Sequence, residues 1–169
     1  MTTEKFTGER LTIISDKTFE EVVAAVRSQI GQPDMAEFTQ TIRKSTNFDE
    51  IAAFVQKSVS KLDLMRFMEL DQGIILRRET GADGPKIVRF SIGNPLIMRL
   101  LTREVPEAGT YVPVTLMVIE RPDGVVLSYD KMATSPGVAA NAAALKVATL
   151  LDEKIEKLMT NAATGLSKI

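Results

Sequence analysis

Apolar positions in the first third of the chain recur first at the spacing of a strand and then at that of helices. Residues 11–15 are mostly apolar and β-branched, which predicts a short strand. Thr18 then opens a Thr-x-x-Glu capping box, and one apolar helical face continues as far as Gly31, which suits the left-handed position after a helix. Pro33 suits the first turn of a second helix, and Asn47 can cap a third. We therefore expect one strand followed by three helices.

From about residue 65 the pattern becomes strand-like, interrupted by segments rich in turn residues. The predicted strands cover residues 65–70, 74–78, 87–92, 111–120 and 125–130. Val88, Phe90 and Ile92 alternate with polar neighbours, so the third of these strands has one buried face. Two segments, Asp71-Gln72-Gly73 and Arg121-Pro122-Asp123-Gly124, have the composition of hairpin turns. Hairpins of this kind predict an antiparallel sheet.

The last helix is predicted over about residues 136–160, because Ser135 and Pro136 suit the N-cap and first-turn positions. The whole pattern indicates an α+β fold, in which an antiparallel sheet of about five to six strands is packed on one face by helices that include this long C-terminal one. Neither an internal repeat nor a domain boundary interrupts the sequence. A single domain over residues 1–169 is expected, with a helical insertion at about 33–60.

Composition restricts the partners more than it restricts the fold. Apolar residues make up 44% of the chain and charged residues 25%, as in ordinary globular proteins. The 21 basic and 22 acidic residues nearly cancel, and aromatic residues make up only 5%, so nucleic acid is not an expected partner. The polar N-terminus does not resemble a signal peptide, and no run approaches the ~20 apolar residues that span a bilayer. The expected location is the cytoplasm, with no membrane partner.

The chain contains no histidine and no cysteine, which excludes most familiar catalytic sites. A Ser-His-Asp triad, an imidazole base, a thiolate nucleophile and a zinc site built on these ligands are all ruled out. Asp63, Glu69 and Asp71 could offer oxygens to a hard cation, but they lack the spacing of a calcium loop. No metal or other cofactor is therefore expected, and any site must use carboxylates, amides, hydroxyls, lysine or arginine.

Several arginines lie on or beside the predicted middle strands and the helix after them. They are Arg66, Arg77, Arg78, Arg89, Arg99 and Arg103. If some share one face of the sheet, their guanidinium groups could hold a carboxylate or phosphate through paired hydrogen bonds, and Arg89 is the first candidate. The alternative is a solvated outer face on which the arginines pair with Glu69, Glu79 and Glu104, with little gain in stability.

Three segments in the second half carry a family resemblance. They are Phe90-Ser91-Ile92-Gly93-Asn94-Pro95, Val112-Pro113-Val114-Thr115-Leu116-Met117-Val118-Ile119-Glu120 and Asp123-Gly124-Val125-Val126-Leu127-Ser128-Tyr129-Asp130. In this order they resemble the bacterial domain-of-unknown-function family numbered 302, over a family-like core of about residues 86–135. The chain departs from the family pattern at Ile92 and Val112, and in a longer helical region after the first helix. The resemblance implies a two-layer fold with helices on a curved antiparallel sheet, related to the TATA-box-binding protein, and a homodimer. It implies no activity.

The resembling segments also contain most of the candidate site residues. Asn94 could present its amide to a ligand, and Glu120, Tyr129 and Asp130 could form a polar cluster near the strand ends. Each has a structural alternative, because Asn94 before a proline is a typical N-cap and polar residues beside a turn are usually solvated. Together with Arg89, these four residues form the predicted ligand-binding set.

Three functions remain open at this point. The first is non-catalytic binding of a small apolar or anionic ligand, or of a protein partner. Four methionines could line a cavity for such a ligand or could simply fill the core: Met65, Met68, Met98 and Met117. The second is an enzyme with carboxylate, tyrosine or lysine chemistry, whose candidates are Glu120, Tyr129, Asp130 and Lys131. The third is a structural or interaction protein that acts as a dimer. The sequence favours the first.

Overall fold

The computed structural model describes residues 1, 3–81 and 84–165 and shows an α+β fold. The strands are β1 (Arg10–Ser15), β2 (Met65–Asp71), β3 (Ile87–Gly93), β4 (Val114–Arg121) and β5 (Gly124–Asp130). The α-helices are α1 (Phe19–Gln29), α2 (Met35–Lys44), α3 (Phe48–Ser58), α4 (Gly73–Thr80), α5 (Pro95–Glu104) and α6 (Ala142–Thr164). Short 3-10 helices cover Pro106–Thr110 and Met132–Thr134. Across these ranges no helix combines the length and apolar character needed to cross a bilayer.

The sheet has five strands in the order β1-β5-β4-β3-β2, and every neighbouring pair is antiparallel, as predicted. The β4–β5 hairpin turns between Arg121 and Gly124, at the predicted position. Gly124 has a φ of 132°, and a Cβ there would lie 2.8 Å from the carbonyl oxygen of Ser15. Only glycine fits this turn, because both its backbone conformation and its closeness to β1 exclude a side chain.

Helices cover one face of the sheet and leave the other open. Val88, Phe90 and Ile92 point into the helical layer and are buried, as their alternation predicted. Helices α1 and α6 pack on this face, and α5 packs against α6. The buried stripe of α6 includes Ala144, Ala148, Leu151, Ile155, Leu158 and Ala162. On the opposite face, alternate side chains such as Thr12 and Ile14 are exposed, and this surface is called the open face below.

The helices between β1 and β2 form a second, smaller apolar cluster. Phe38 of α2, Val55 of α3 and Met65 of β2 are buried together. The ring centroids of Phe38 and Phe54 lie 5.4 Å apart, within the range of a favourable aromatic pair. These helices therefore pack on the first residues of β2 and on one another.

Gly31 joins this helical segment to the sheet. Its N–H donates to the Leu64 carbonyl (2.9 Å) and its carbonyl accepts from the Arg66 N–H (2.8 Å), so it extends the edge of β2. A Cβ at this position would lie 1.9 Å from the carbonyl oxygen of Ser58. The prediction of a left-handed glycine after α1 is wrong, because Gly31 lies outside the left-handed region and is required by this close approach instead.

Residues 74–78 lie in helix α4, where the sequence predicted a strand. The Asp71 side chain accepts a hydrogen bond from the Ile74 N–H (3.1 Å) and pairs with Arg77 (2.5 Å), which stabilises the first turns of the helix. The hairpin predicted at Asp71-Gln72-Gly73 is therefore wrong, and β2 pairs with β3 instead. Gly73 allows the start of α4 to pack closely against the segment before β3. A Cβ at this position would lie 2.5 Å from the Pro85 carbonyl oxygen.

The C-terminal helix begins later than predicted. Asn141 caps α6 by accepting hydrogen bonds from two N–H groups of the first turn, so the helix begins at Ala142. Ser135 and Pro136 belong to a turn, because Gly137 adopts a left-handed φ of 75° that interrupts a helix. The helix then continues to Thr164, which is four residues beyond the predicted end.

The other helix starts were mostly predictable from local cap signals. Thr18 and Glu21 form the predicted capping box, in which the Thr18 hydroxyl accepts from the Glu21 N–H (3.3 Å). Asn47 caps α3 as predicted, accepting from the N–H three residues later (3.0 Å). For α2 the predicted position of Pro33 in the first turn is wrong, because Asp34 caps the helix and the first turn begins at Met35.

Candidate functional site

Alternate residues of four strands bring polar side chains together on the open face. Arg89 of β3 lies opposite Met117 of β4, Met117 lies opposite Ser128 of β5, and Ser128 lies opposite Thr12 of β1. Neighbouring strands are roughly 5 Å apart, so this row spans about 15 Å across the sheet. The antiparallel register therefore sets which side chains surround Arg89.

A hollow of about 470 Å³ lies on the open face above these strands. Its wall includes Arg10, Arg89, Tyr111, Thr115, Ser128 and Asp130. The volume falls within the usual range for small-molecule sites. Of the five residues predicted to bind a ligand, the fold brings Arg89 and Asp130 together here. Thr115, Ser128 and Tyr111 were missed, because nothing in the sequence shows which strands are neighbours.

Arg89 enters this hollow without a charged partner. Its Nη2 donates to the Thr115 hydroxyl (3.2 Å), whereas its Nε is buried and has no hydrogen-bond partner among the described residues. Across the same residues, no carboxylate comes within the 4.0 Å of an ion pair with this guanidinium. A buried donor that lacks a partner costs roughly 1–3 kcal/mol. The packing of the fold does not account for Arg89 at this position.

Asp130 does not compensate Arg89, because Arg10 already holds it. The Nε and Nη2 of Arg10 donate to the two carboxylate oxygens of Asp130 at 2.5 and 2.8 Å. This hydrogen bonding and the positive charge of Arg10 lower the pKa of Asp130 below its ordinary value. The Arg10–Asp130 pair shows how an arginine on the open face binds a nearby carboxylate, through two hydrogen bonds. Arg89 has the same donors and no such acceptor.

Tyr129 points away from the hollow, into the helical layer. Its hydroxyl donates to Asp152 Oδ1 (2.5 Å), and Asp152 also accepts from the N–H groups of Met132 (2.8 Å) and Ala133 (3.0 Å). Burial and the adjacent carboxylate raise the pKa of Tyr129, so the phenol stays protonated and acts as a donor. The sequence did offer a signal for Asp152, which is an acid within the apolar stripe of α6.

Asn94 and Glu120 lie outside the hollow, each with partners of its own. The side-chain Oδ1 of Asn94 accepts from the Leu96 N–H (2.8 Å) as the cap of α5, and its Nδ2 donates to the Asp63 backbone carbonyl (3.1 Å). Glu120 pairs with Lys86 (3.4 Å) at the end of β4. The structural alternative for Asn94 therefore accounts for both ends of its amide.

The four residues considered for catalysis do not share one cleft: Asp130 and Lys131 border a common pocket, where each is held in an ion pair, and Glu120 and Tyr129 lie elsewhere. Glu120 pairs with Lys86, Tyr129 is buried against Asp152, and Asp130 is held by Arg10. Lys131 pairs with Glu9 (2.8 Å), and this contact raises the pKa of its ammonium group. Acid–base catalysis needs two such groups to converge on one substrate. Nor do the described residues contain a group of three or more acids placed to hold a metal ion.

The four methionines lie in different parts of the structure, and two of the other arginines are paired with acids. Met65 is fully buried, Met117 lines the hollow, and Met68 and Met98 are exposed by 41% and 38%, so they do not enclose one cavity. Two arginines of the middle region pair with acids named in the alternative prediction: Arg103 with Glu104 (3.2 Å) on the surface, and Arg66 with Glu69 (2.6 Å) in a partly buried position.

Glu69 forms ion pairs with two arginines, Arg27 and Arg66. Burial alone raises the pKa of its carboxyl, but hydrogen bonds from Arg27 and Arg66 outweigh this effect and lower it. Because Arg27 belongs to α1 and Glu69 to β2, the pair ties the helical layer to the edge of the sheet. Arg66 is thereby neutralised, unlike Arg89.

Comparison with known proteins finds a matching family model and a structure of similar fold. The model of the family described as "Domain of unknown function DUF302" matches residues 38–162. The crystal structure of the uncharacterized conserved protein DUF302 from Bacillus stearothermophilus is similar, with a TM-score of 0.63 over 90% of this chain and 97% of that chain. Its sequence identity of 10% means that this likeness concerns the fold alone. A comparison with curated proteins gave no match.

Proposed function

This chain belongs to the family of the domain of unknown function DUF302, and we propose that it is a non-catalytic protein that binds a small carboxylate or phosphate anion in the hollow of the open face. The observation that carries the proposal is the buried Nε of Arg89, which has no partner among the described residues. An anion in the hollow would supply the missing acceptor.

The chemistry of the wall suits such a ligand. A guanidinium group matches the geometry of carboxylate and phosphate oxygens and binds them through two parallel hydrogen bonds. Because its Nε is buried, the Arg89 side chain has to turn toward the hollow to present this donor to the ligand. The hydroxyls of Thr115 and Ser128 can donate further hydrogen bonds from the neighbouring strands. The Arg10–Asp130 pair is internally neutral and would not repel an anion.

An NMR titration of the full chain with acetate and with inorganic phosphate tests this proposal. We expect backbone amide shifts centred on Arg89, Thr115 and Ser128. Arg89→Gln should weaken binding by at least about tenfold, since a hydrogen-bonded charge typically contributes 1.5–3 kcal/mol. Arg103→Gln is the matched control, because Arg103 is an exposed arginine of α5 that does not line the hollow. Equal losses in both variants, or no shifts at all, would refute the proposal.

We also propose that the chain forms a homodimer through β2 and α4. The described residues include eleven exposed large apolar side chains, and five of them lie within residues 68–76: Met68, Leu70, Ile74, Ile75 and Leu76. Exposed apolar clusters of this kind mark association sites. Residues 66–80 contain three arginines and three acids, so the net charge of the segment is zero. Two copies of this surface can therefore meet without electrostatic repulsion, as an isologous dimer requires.

A further inference from the structure

A second, smaller cavity lies at the end of β3. Its volume is about 130 Å³, and its wall includes Phe67, Gly93, Ile97, Met98, Pro113 and Leu151. Asn94 also borders it, but both ends of that amide are engaged by Leu96 and Asp63, so it offers no free polar group. For comparison, an enclosed apolar cavity of about 150 Å³ accepts benzene. This second cavity therefore has the size and chemistry for a phenyl ring or a short alkyl group.

Pro113 lines both the apolar cavity and the hollow of the open face, so a single residue separates the two. Gly93 keeps the space beside it free, since a Cβ there would lie only 3.3 Å from Pro113 Cβ and 3.6 Å from the Phe67 ring. The Pro113 ring and the neighbouring backbone of Gly93 are called the junction below.

The guanidinium of Arg89 leans toward this junction. Its Nη2 donates to Thr115, which lies opposite Ser91 and not opposite Arg89 itself. The side chain of Arg89 therefore extends along the sheet in the direction of Gly93. Thr115 and Pro113 are themselves two residues apart, which in a strand is roughly 6–7 Å. The charged group and the mouth of the apolar cavity are therefore separated by about the length of a small molecule.

From this arrangement we infer that the ligand is a short amphiphilic carboxylic acid, with its carboxylate at Arg89 and an apolar group of phenyl or butyl size in the cavity beyond Pro113. The inference rests on the proposed anion site and specifies the class of its ligand. An inorganic anion would leave the apolar cavity unfilled, and an uncharged apolar molecule would leave the Arg89 Nε unpaired. One or two methylene groups between the carboxylate and the apolar group match the distance from Thr115 to Pro113.

The test is an NMR titration of the full chain with acetate, hexanoate, 3-phenylpropanoate and the neutral 3-phenylpropanamide. We expect 3-phenylpropanoate to bind about 10- to 100-fold more tightly than acetate, as burial of a phenyl-sized group implies. The amide should bind at least about tenfold more weakly than the acid, because it lacks the charge that pairs with Arg89. Shifts should extend from Arg89 and Thr115 to Gly93 and Met98.

Two variants separate the inference from the function on which it rests. Gly93→Ala adds a methyl group at the junction, so 3-phenylpropanoate should no longer bind more tightly than acetate, while acetate binding persists. If this variant does not fold, Met98→Phe serves the same purpose, because it fills the cavity from α5. Arg89→Gln should weaken every acid. If acetate and 3-phenylpropanoate bind equally and both need Arg89, the inferred amphiphilic ligand is wrong and the proposed anion site is supported. If no acid shows dependence on Arg89, both are wrong.

Discussion

At the scale of single residues, Asp152 supports the wall of the hollow from the opposite side of the sheet. It is 6% exposed and accepts hydrogen bonds from the Tyr129 hydroxyl and from the backbone N–H groups of Met132 and Ala133. A buried carboxylate is tolerated only when such donors replace the water it loses. Because Met132 lines the hollow, this carboxylate fixes part of the proposed binding site without touching it.

Replacement of Asp152 should therefore destabilise the protein more than its size suggests. Asp152→Asn puts a donor where at least one backbone N–H needs an acceptor, and we expect a loss of about 2–4 kcal/mol in the free energy of unfolding. Tyr129→Phe removes one of the three donors and should cost about 1–2 kcal/mol. Urea unfolding measures both, with Glu153→Gln as the control in the same helix at an exposed position. The account fails if Asp152→Asn and Glu153→Gln are equally stable.

Individual residues were predictable where their role is local. The caps at Thr18, Asn47 and Asn94 act on N–H groups two or three residues away, so the sequence contains the whole interaction. Arg89 could be assigned to the outward-facing side of its strand from alternation alone. Its contact with Thr115 could not be read from the sequence, because it depends on the register between β3 and β4.

At the scale of elements, Gly31 is the point where α1, α3 and β2 come together. Gly31→Ala should destabilise the chain by several kcal/mol, since its Cβ would overlap a backbone carbonyl that cannot move without displacing α3. Gly109→Ala is the control, because a Cβ there meets only the Thr102 methyl group at 3.5 Å. Thermal unfolding should show a large fall in midpoint for the first variant and little change for the second. Similar midpoints would mean that α3 adjusts freely.

Elements were predicted well when one signal dominated and poorly when two competed. Ile74-Ile75-Leu76 favours a strand by composition, yet the Asp71 side chain and its pair with Arg77 stabilise a helix there. The start of α6 shows the same competition, because Ser135-Pro136 is a good helix start by itself. The left-handed Gly137 cancels that signal, and Asn141 supplies the effective cap.

At the scale of the whole molecule, the order of the strands in the sheet differs from their order in the sequence. β1 pairs with β5 although more than 100 residues separate Arg10 from Asp130, and no local pattern specifies that pairing. The antiparallel arrangement and the one-sided helical layer were predictable from hairpins and alternation, whereas one of the predicted strands, residues 74–78, is helical. The hollow was not, because it exists only where β1, β5, β4 and β3 lie side by side.

The proposed homodimer gives a prediction at this same scale. In analytical ultracentrifugation the wild-type chain should sediment with twice its 18.6 kDa mass, and Ile75→Glu should sediment as a monomer. Ile75 is 73% exposed in α4, and a buried glutamate facing its own copy would be both desolvated and repelled. Leu150→Glu is the matched control, because Leu150 is an equally apolar residue, 50% exposed, on α6. Two results would contradict the interface: a monomeric wild type, or dissociation by Leu150→Glu with Ile75→Glu still dimeric. The second would move the dimer to the helical layer and leave the open face, with its Arg89 hollow, free in both copies.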